Sequence, residues 1–446
     1  QFCNNLANLI LLICDLNKEL KGKLEKGNRD TSLLYLSQLI TSLSLLINIF
    51  VQESDIYETL TGARLCAKRR ITWCLDGIQE TLTTNKSILD PSGNFIRWMD
   101  SALDSIAKIE LDKDKDILLG ICNDTRVLFE EVLSHAMSIA QVALEEDCKI
   151  IRGSSQTVLD SLDSLTKEIN KINLNPSMVN LFVDVCTDKL CILERRVNTA
   201  VLRLSLKVFS EYTVALEAIH DFCFIEENQG NTEELDLLVA DFDLHVDRIM
   251  QIGLFAVSCS TCRGLSFDSD MLGIKIRSCL ASLEALECEL VPAFTAVLLD
   301  PSVPNINLAL LLKRHWIQQA NILRQLIYVI IDPFAFCQVV IYEENKESVD
   351  DISDSVKAKG WLEKESVRVL VGKASVFTGL YGSYSEEFGN INNSEKPTTK
   401  NAFLDHIINR GKQILKDRSI LYKTSLKNDT FNIPISAFKR TQLKGR

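Results

Sequence analysis

Only eight prolines and 18 glycines punctuate 446 residues, so there are few points at which this chain is forced to turn. Long uninterrupted elements follow, because proline and glycine are what end helices and strands. The breaks that exist fall at recognisable places: Gly27-Asn28, Asp90-Pro91, Gly153, Asn175-Pro176, Gly230-Asn231 and Asp300-Pro301. Between them the apolar residues recur at helical spacing. Ser177 to Gln229 has neither Gly nor Pro and reads as one very long helix shared by neighbouring bundles.

The clearest seam interleaves two seven-residue rows: Leu235, Phe242, Ile249, Ala256 and Leu238, His245, Ile252, Cys259. A second pair follows, with Ile276, Leu283, Leu290 and Val297 in one row and Cys279, Leu286 and Ala293 in the other. Leu312, Trp316, Leu323, Ile327 and Ile330 add a further stripe. Together these predict an all-α chain of consecutive antiparallel four-helix bundles linked by long helices, with an irregular C-terminal tail. The expected division is an N-terminal bundle over 1–115, a middle bundle over 116–204, a third bundle over 205–335, and an acidic linker and basic tail over 336–446.

With 46% hydrophobic residues the chain buries ordinary cores and is not of the disordered class. Its 14 cysteines are scattered through apolar helical stretches without a signal-peptide pattern, which points to a reduced cytoplasm and not to a disulfide scaffold. Leu33 to Val51 carries no charge and approaches the length of a membrane span. Ser37, Gln38, Thr41, Ser42, Ser44 and Asn48 interrupt it at helical spacing, however, which predicts one wet face of a buried bundle helix.

Charge is segregated. From Lys396 onward twelve basic residues face only Asp405, Asp417 and Asp429, leaving the tail about +9 and the rest about −20. Lys400 to Lys423 reads as an amphipathic helix with Leu404, Ile407, Ile408, Ile414 and Leu415 on one face. Lys412, Lys416 and Lys423 gather on the other face, and Lys427, Lys439 and Arg440 extend the charge. These six basic residues are the candidate site for an acidic lipid surface or a partner. A helix docked on the nearest bundle, with its lysines in water, reads equally well.

No motif for catalysis, cofactor or metal is complete. Asp350, Asp351 and Asp354 match the D-D-x-x-D pattern that holds magnesium in all-helical prenyl-diphosphate enzymes. The second motif such enzymes need finds only Asn123 to Glu131, where Val127 stands in place of a hydroxyl ligand. Asp112, Asp114 and Asp116 open like a calcium loop, but Ile117 and Asn123 stand where its glycine and closing carboxylate belong. Cys259, Cys262, Cys279 and Cys288 lack a second zinc-ligand spacing, and Cys259 and Cys279 lie on apolar seams. The phosphate-loop pattern ending at Gly372-Lys373 has Val367 for its first glycine and Ala374 for its hydroxyl. His135, His220, His245, His315 and His406 are dispersed.

Phe255 to Thr261, Ser282 to Phe294 and Leu312 to Trp316, leading to Asp332, resemble helices of the vinculin and alpha-catenin family. The resemblance implies a non-enzymatic adaptor at the cell cortex, cytoplasmic and peripheral at the inner face of the plasma membrane. Its implied partners are cytoskeletal or adhesion proteins, with no cofactor and no nucleic acid. Within that family the short length and missing proline-rich linker lie nearest an insect member, which implies cortical actin organisation during cellularization of the early embryo. Actin contact is expected to be indirect, since only about a hundred residues follow Tyr342, where family members carry a helical actin-binding tail bundle. A generic helical regulator and the magnesium-dependent enzyme are the alternatives.

Overall fold

A computed structural model describes residues 15, 26–56, 59–84, 95–109, 115–171, 175–262, 267–331, 335–336, 339 and 402–416. Among them the chain is all-α. The helices are α1 (Lys26–Ile56), α2 (Thr61–Thr84), α3 (Phe95–Ile106), α4 (Lys115–Ala140), α5 (Glu145–Asn170) and α6 (Pro176–Ser210). There follow α7 (Val214–Cys223), a 3-10 turn (Glu226–Asn228), α8 (Thr232–Cys262), α9 (Phe267–Leu299), α10 (Val303–Ile330) and α11 (Ala402–Lys416).

The local sequence accounts for several ends. Asn175 caps α6 by accepting from the Ser177 N–H at 3.1 Å, and Pro176 occupies the first turn, where its missing N–H costs nothing. Glu145, Glu146 and Asp147 place negative charge on the first turn of α5, opposite the positive end of the helix dipole. Gly230 takes φ 79°, a left-handed conformation that glycine adopts freely, and its N–H bonds Leu298 O at 3.3 Å.

The helices form two compact units, each discontinuous in sequence. One gathers α1, α2 and α7 to α10 as far as Ile327; the other gathers α3 to α6 with α11. The division expected from chain order, at 115, 204 and 335, instead groups consecutive helices.

In the first unit α1 packs on α2 and α9 through Leu34, Tyr35, Leu39, Leu43, Cys74 and Ala281. Leu45 and Ile49 continue the seam to Ala63, Ala67 and Leu311. Of the two rows on α8, Leu235, Phe242, Ile249 and Ala256 are buried, whereas Leu238, His245 and Cys259 sit half-buried at the rim. Both rows on α9 are buried. The Phe242 and Trp316 rings meet at 5.4 Å between centroids, in the range where tilted aromatic pairs attract.

Several expectations change: Gly27-Asn28 and Gly153, expected as breaks, lie inside α1 and α5. The Ser177–Gln229 stretch is not one helix: it breaks at Glu211, whose φ −128°, ψ 34° leaves the helical region. Tertiary contacts hold the interruption. The Tyr212 carbonyl lies 3.2 Å from His245 Nε2, and the Arg324 guanidinium sits over the Tyr212 ring at 5.0 Å. The polar face of α1 is wet only in part: Ser44 and Asn48 are exposed and Ser37 and Thr41 half-buried. Gln38 and Ser42 are fully buried, and the Gln38 amide donates to Ser278 O at 2.5 Å and Ser278 Oγ at 2.8 Å. Ser282 Oγ returns a bond to Gln38 Oε1 at 3.2 Å. The exposed side of α1 also carries Ile40, Ile47 and Val51. Asn28–Asp55 is long and apolar enough to cross a membrane by length and composition, and half of its most apolar window is buried inside the folded chain.

Candidate interaction surface

The basic tail residues meet the described structure at α11. This helix ends at Lys416, so it covers the first part of the expected Lys400–Lys423 helix. Its apolar side is occupied. Ile407 is fully buried, Ile408 and Ile414 are half-buried, and α11 lies along α4 of its own unit.

Gly411 sets how close the two helices come. A Cβ at this position would stand 2.6 Å from Met137 Cβ and 2.9 Å from the Ser134 carbonyl oxygen, so only glycine lets the backbones approach this far. An ion pair between Arg410 and Glu131 closes one edge. Asp405, His406, Asn409, Lys412 and Gln413 form the outward edge. Of the six candidate basic residues, Lys412 is exposed on that edge and Lys416 is the last residue of the helix; Lys423, Lys427, Lys439 and Arg440 lie outside the described residues. With the apolar face docked on α4, attraction of this helix to a bilayer falls to its charges.

A second charged surface went unread in the sequence. From Tyr212 to Asp247, across α7 and most of α8, ten carboxylates occur and no lysine or arginine. Glu217, Asp221, Glu226, Glu227, Glu233, Glu234, Asp236 and Asp241 are exposed. Counting charge in windows along the chain would have found it.

The residues weighed for chemistry have other occupations. In the Asn123–Glu131 segment, Thr125 is buried and bonded to Ser105 at 2.9 Å, and Glu131 is taken by Arg410. Asp350, Asp351, Asp354, Gly372 and Lys373 lie outside the described residues. Among the described residues no three His, Cys, Asp or Glu side chains converge as a metal site. Burial pushes the thiols of Cys66, Cys74, Cys223 and Cys279 up to about 12, and that of Cys122 up to about 11. A thiol so protonated at neutral pH is a poor nucleophile and a poor zinc ligand. His220 stacks on Phe224 and bonds Asp221 at 2.8 Å, whereas burial, against the bond to Tyr212 O, draws the His245 imidazole below its ordinary range.

Comparison with known proteins places the chain. Solved structures similar to it include a vinculin homolog from a sponge, with TM-score 0.48, 15% identity, and coverage of 96% of this chain and 56% of that one. The HMP-1 M domain gives TM-score 0.41 and 17% identity over 74% of this chain and 98% of that one. Three fly proteins described as Serendipity locus protein alpha are similar in sequence. The Drosophila virilis protein is 30% identical over 373 residues, covering 77% of this chain and 64% of its own length. Those of Drosophila pseudoobscura pseudoobscura and Drosophila subobscura are 31% and 29% identical over 70% and 68% of this chain, and 57% and 55% of their own lengths. The chain thus spans less than two thirds of each of these relatives. A family model described as Serendipity locus alpha protein (SRY-A) matches residues 8–387, and on that match the chain belongs to this family.

Proposed function

We propose that the chain is a non-enzymatic cytoskeletal adaptor of the cell cortex, organising actin through partners at the plasma membrane during embryonic cellularization. The observation that carries this reading is the docking of α11. Its apolar face is spent on α4, and its outward edge bears Lys412 at the start of the basic tail. A surface built this way is held at an anionic bilayer by charge, each lysine or arginine adding about 1 kcal/mol near the surface. The acidic run over α7 and α8 is repelled by the same bilayer. Family membership supports the setting.

Sedimentation with liposomes tests the membrane part. Pelleting is expected on vesicles with acidic lipid and not on neutral ones, to fall as salt rises, and to be lost when Lys412, Lys416, Lys423 and Lys427 become glutamine. Equal pelleting on both vesicle types removes the tail from the mechanism. Affinity purification from embryos tests the partner part. Recovery of cortical actin or adhesion proteins supports it, and a set without them overturns it.

A further inference from the structure

On α2 the core-facing positions run Ala63, Cys66, Ala67, Arg70, Cys74 and Ile78, an apolar stripe broken by one guanidinium. Arg70 is 5% exposed. Its Nε, Nη1 and Nη2 are all buried, and none finds a hydrogen-bond acceptor among the described residues. The neighbouring Arg69 is part-exposed and meets Glu289 at 3.8 Å. One layer on from the Ala67 and Leu311 contact, α10 presents His315, 4% exposed and close enough to feel the Arg70 charge. Neither of its ring nitrogens makes a hydrogen bond of ordinary geometry, although Gln318 lies beside the ring.

A buried guanidinium cannot shed its proton, and an uncompensated buried charge costs several kcal/mol. Glu289, whose charge Cys66 feels together with that of Arg70, is paired with Arg69, and the other groups do not neutralise Arg70. Burial keeps the Cys66 and Cys74 thiols at about 12, hence uncharged, and burial with the Arg70 charge pushes the His315 imidazole down to about 4, hence neutral at physiological pH. The layer therefore holds one positive charge and a fork of guanidinium donors that no acceptor among the described residues meets, beside a neutral imidazole whose one N–H is also unbonded.

We propose that Arg70 and His315 form a binding site for a small monovalent inorganic anion of the halide or nitrate class, held between α2 and α10 inside the first unit. One charge selects a monoanion, because a dianion would leave a net buried negative charge. Burial of both side chains selects a small one, because a peptide carboxylate could reach them only by parting the helices. The bound anion couples α2 to α10 and stabilises the unit in proportion to its concentration.

The full chain, exchanged into gluconate buffer, is titrated with chloride and followed by 35Cl line width and by thermal melting. Expected are a saturable line broadening, its displacement by bromide or nitrate but not by sulfate, and a rise in Tm, all lost in Arg70→Met. Replacing a buried charge by an apolar side chain of similar length is commonly neutral or stabilising, so this variant is expected to fold. Arg70→Lys, which keeps the charge without the fork, and His315→Leu, which removes the second donor, are each expected to bind more weakly. Absence of saturable broadening in the folded wild-type chain overturns the proposal. So does broadening unchanged in Arg70→Met, or a chloride-dependent Tm rise that is the same in both proteins.

Discussion

Replacing Gly411 by alanine sets two effects of opposite sign against each other. Alanine favours the isolated helix by about 1 kcal/mol. The added methyl, however, would meet Met137 Cβ at 2.6 Å and the Ser134 carbonyl oxygen at 2.9 Å, one a branch point of α4 and the other its backbone. Neither can swing aside as a flexible side-chain end would, so α11 has to move. Moving it re-exposes Ile407, worth roughly 1.5–3 kcal/mol when fully buried, and separates Arg410 from Glu131, a largely surface pair worth at most about 1 kcal/mol. The net loss of docking is about 1–3 kcal/mol, or roughly a 5- to 150-fold rise in the undocked population. Hydrogen exchange over residues 402–416 reads this directly. Gly411→Ala is expected to speed exchange there while leaving α8 and α9 unchanged. Gly120→Ala and Gly153→Ala, whose new methyls meet nothing within 4 Å, are expected to stabilise their helices. Equal or slower exchange in Gly411→Ala refutes the account of how α11 is held.

Three further outcomes are expected. Stability falls with acid: His315 titrates near 4 when folded and near 6.5 when unfolded, so its contribution is complete above pH 6.5 and is lost as pH falls toward 4, about 3 kcal/mol in all. Glu53, drawn below its ordinary value by Arg64 and the Leu60 N–H against the push of burial, adds a further loss only below about pH 4.5, and urea melts of His315→Gln lose the upper slope alone. Asp147→Ala removes the closer of two carboxylates from the 7%-exposed Arg203, Asp147 at 2.6 Å against Glu146 at 3.4 Å, and chemical denaturation is expected to show a loss of up to about 3 kcal/mol, against a smaller loss when both Asp147 and Arg203 become apolar. Gln38→Leu leaves the Ser278 carbonyl and the Ser282 hydroxyl without their α1 partner and is expected to cost about 1–3 kcal/mol in the same assay.

The seams were legible in the sequence because period alone encodes them: Phe242, Ile249, Leu283 and Trp316 lie where their seven-residue rows put them, in the core. What period cannot encode is which distant group shares a layer. Gln38 and Ser42 look like a wet face until Ser278 and Ser282 arrive from 240 residues away at the same level. The break after Ser210 follows from His245 and Arg324 gripping Tyr212, and no glycine or proline announces it. Arg70 could have been flagged, since it sits in phase with Ala63, Ala67 and Cys74, but only the fold shows that no acceptor comes to meet it. In the tail, the spacing of Ile407, Ile408 and Ile414 gave the apolar face; Gly411 names its receptor only once α4 is seen against it.

The discontinuity of the first unit has a consequence for synthesis. α1 and α2 are complete by Thr84, yet α9, against which Gln38 and Leu43 close, begins at Phe267, about 180 residues later. At roughly 5–20 residues per second those two helices wait about 10–40 s on the ribosome for their partner, while α3 to α6 emerge and are free to fold between them. During that interval the charge-free stretch from Leu33 to Val51 is an unsheltered apolar segment of nearly membrane-spanning length. Its glutamine and serines then serve before the fold exists: they lower its affinity for a bilayer or a translocation channel, and so keep a core helix from being mistaken for an anchor while it waits.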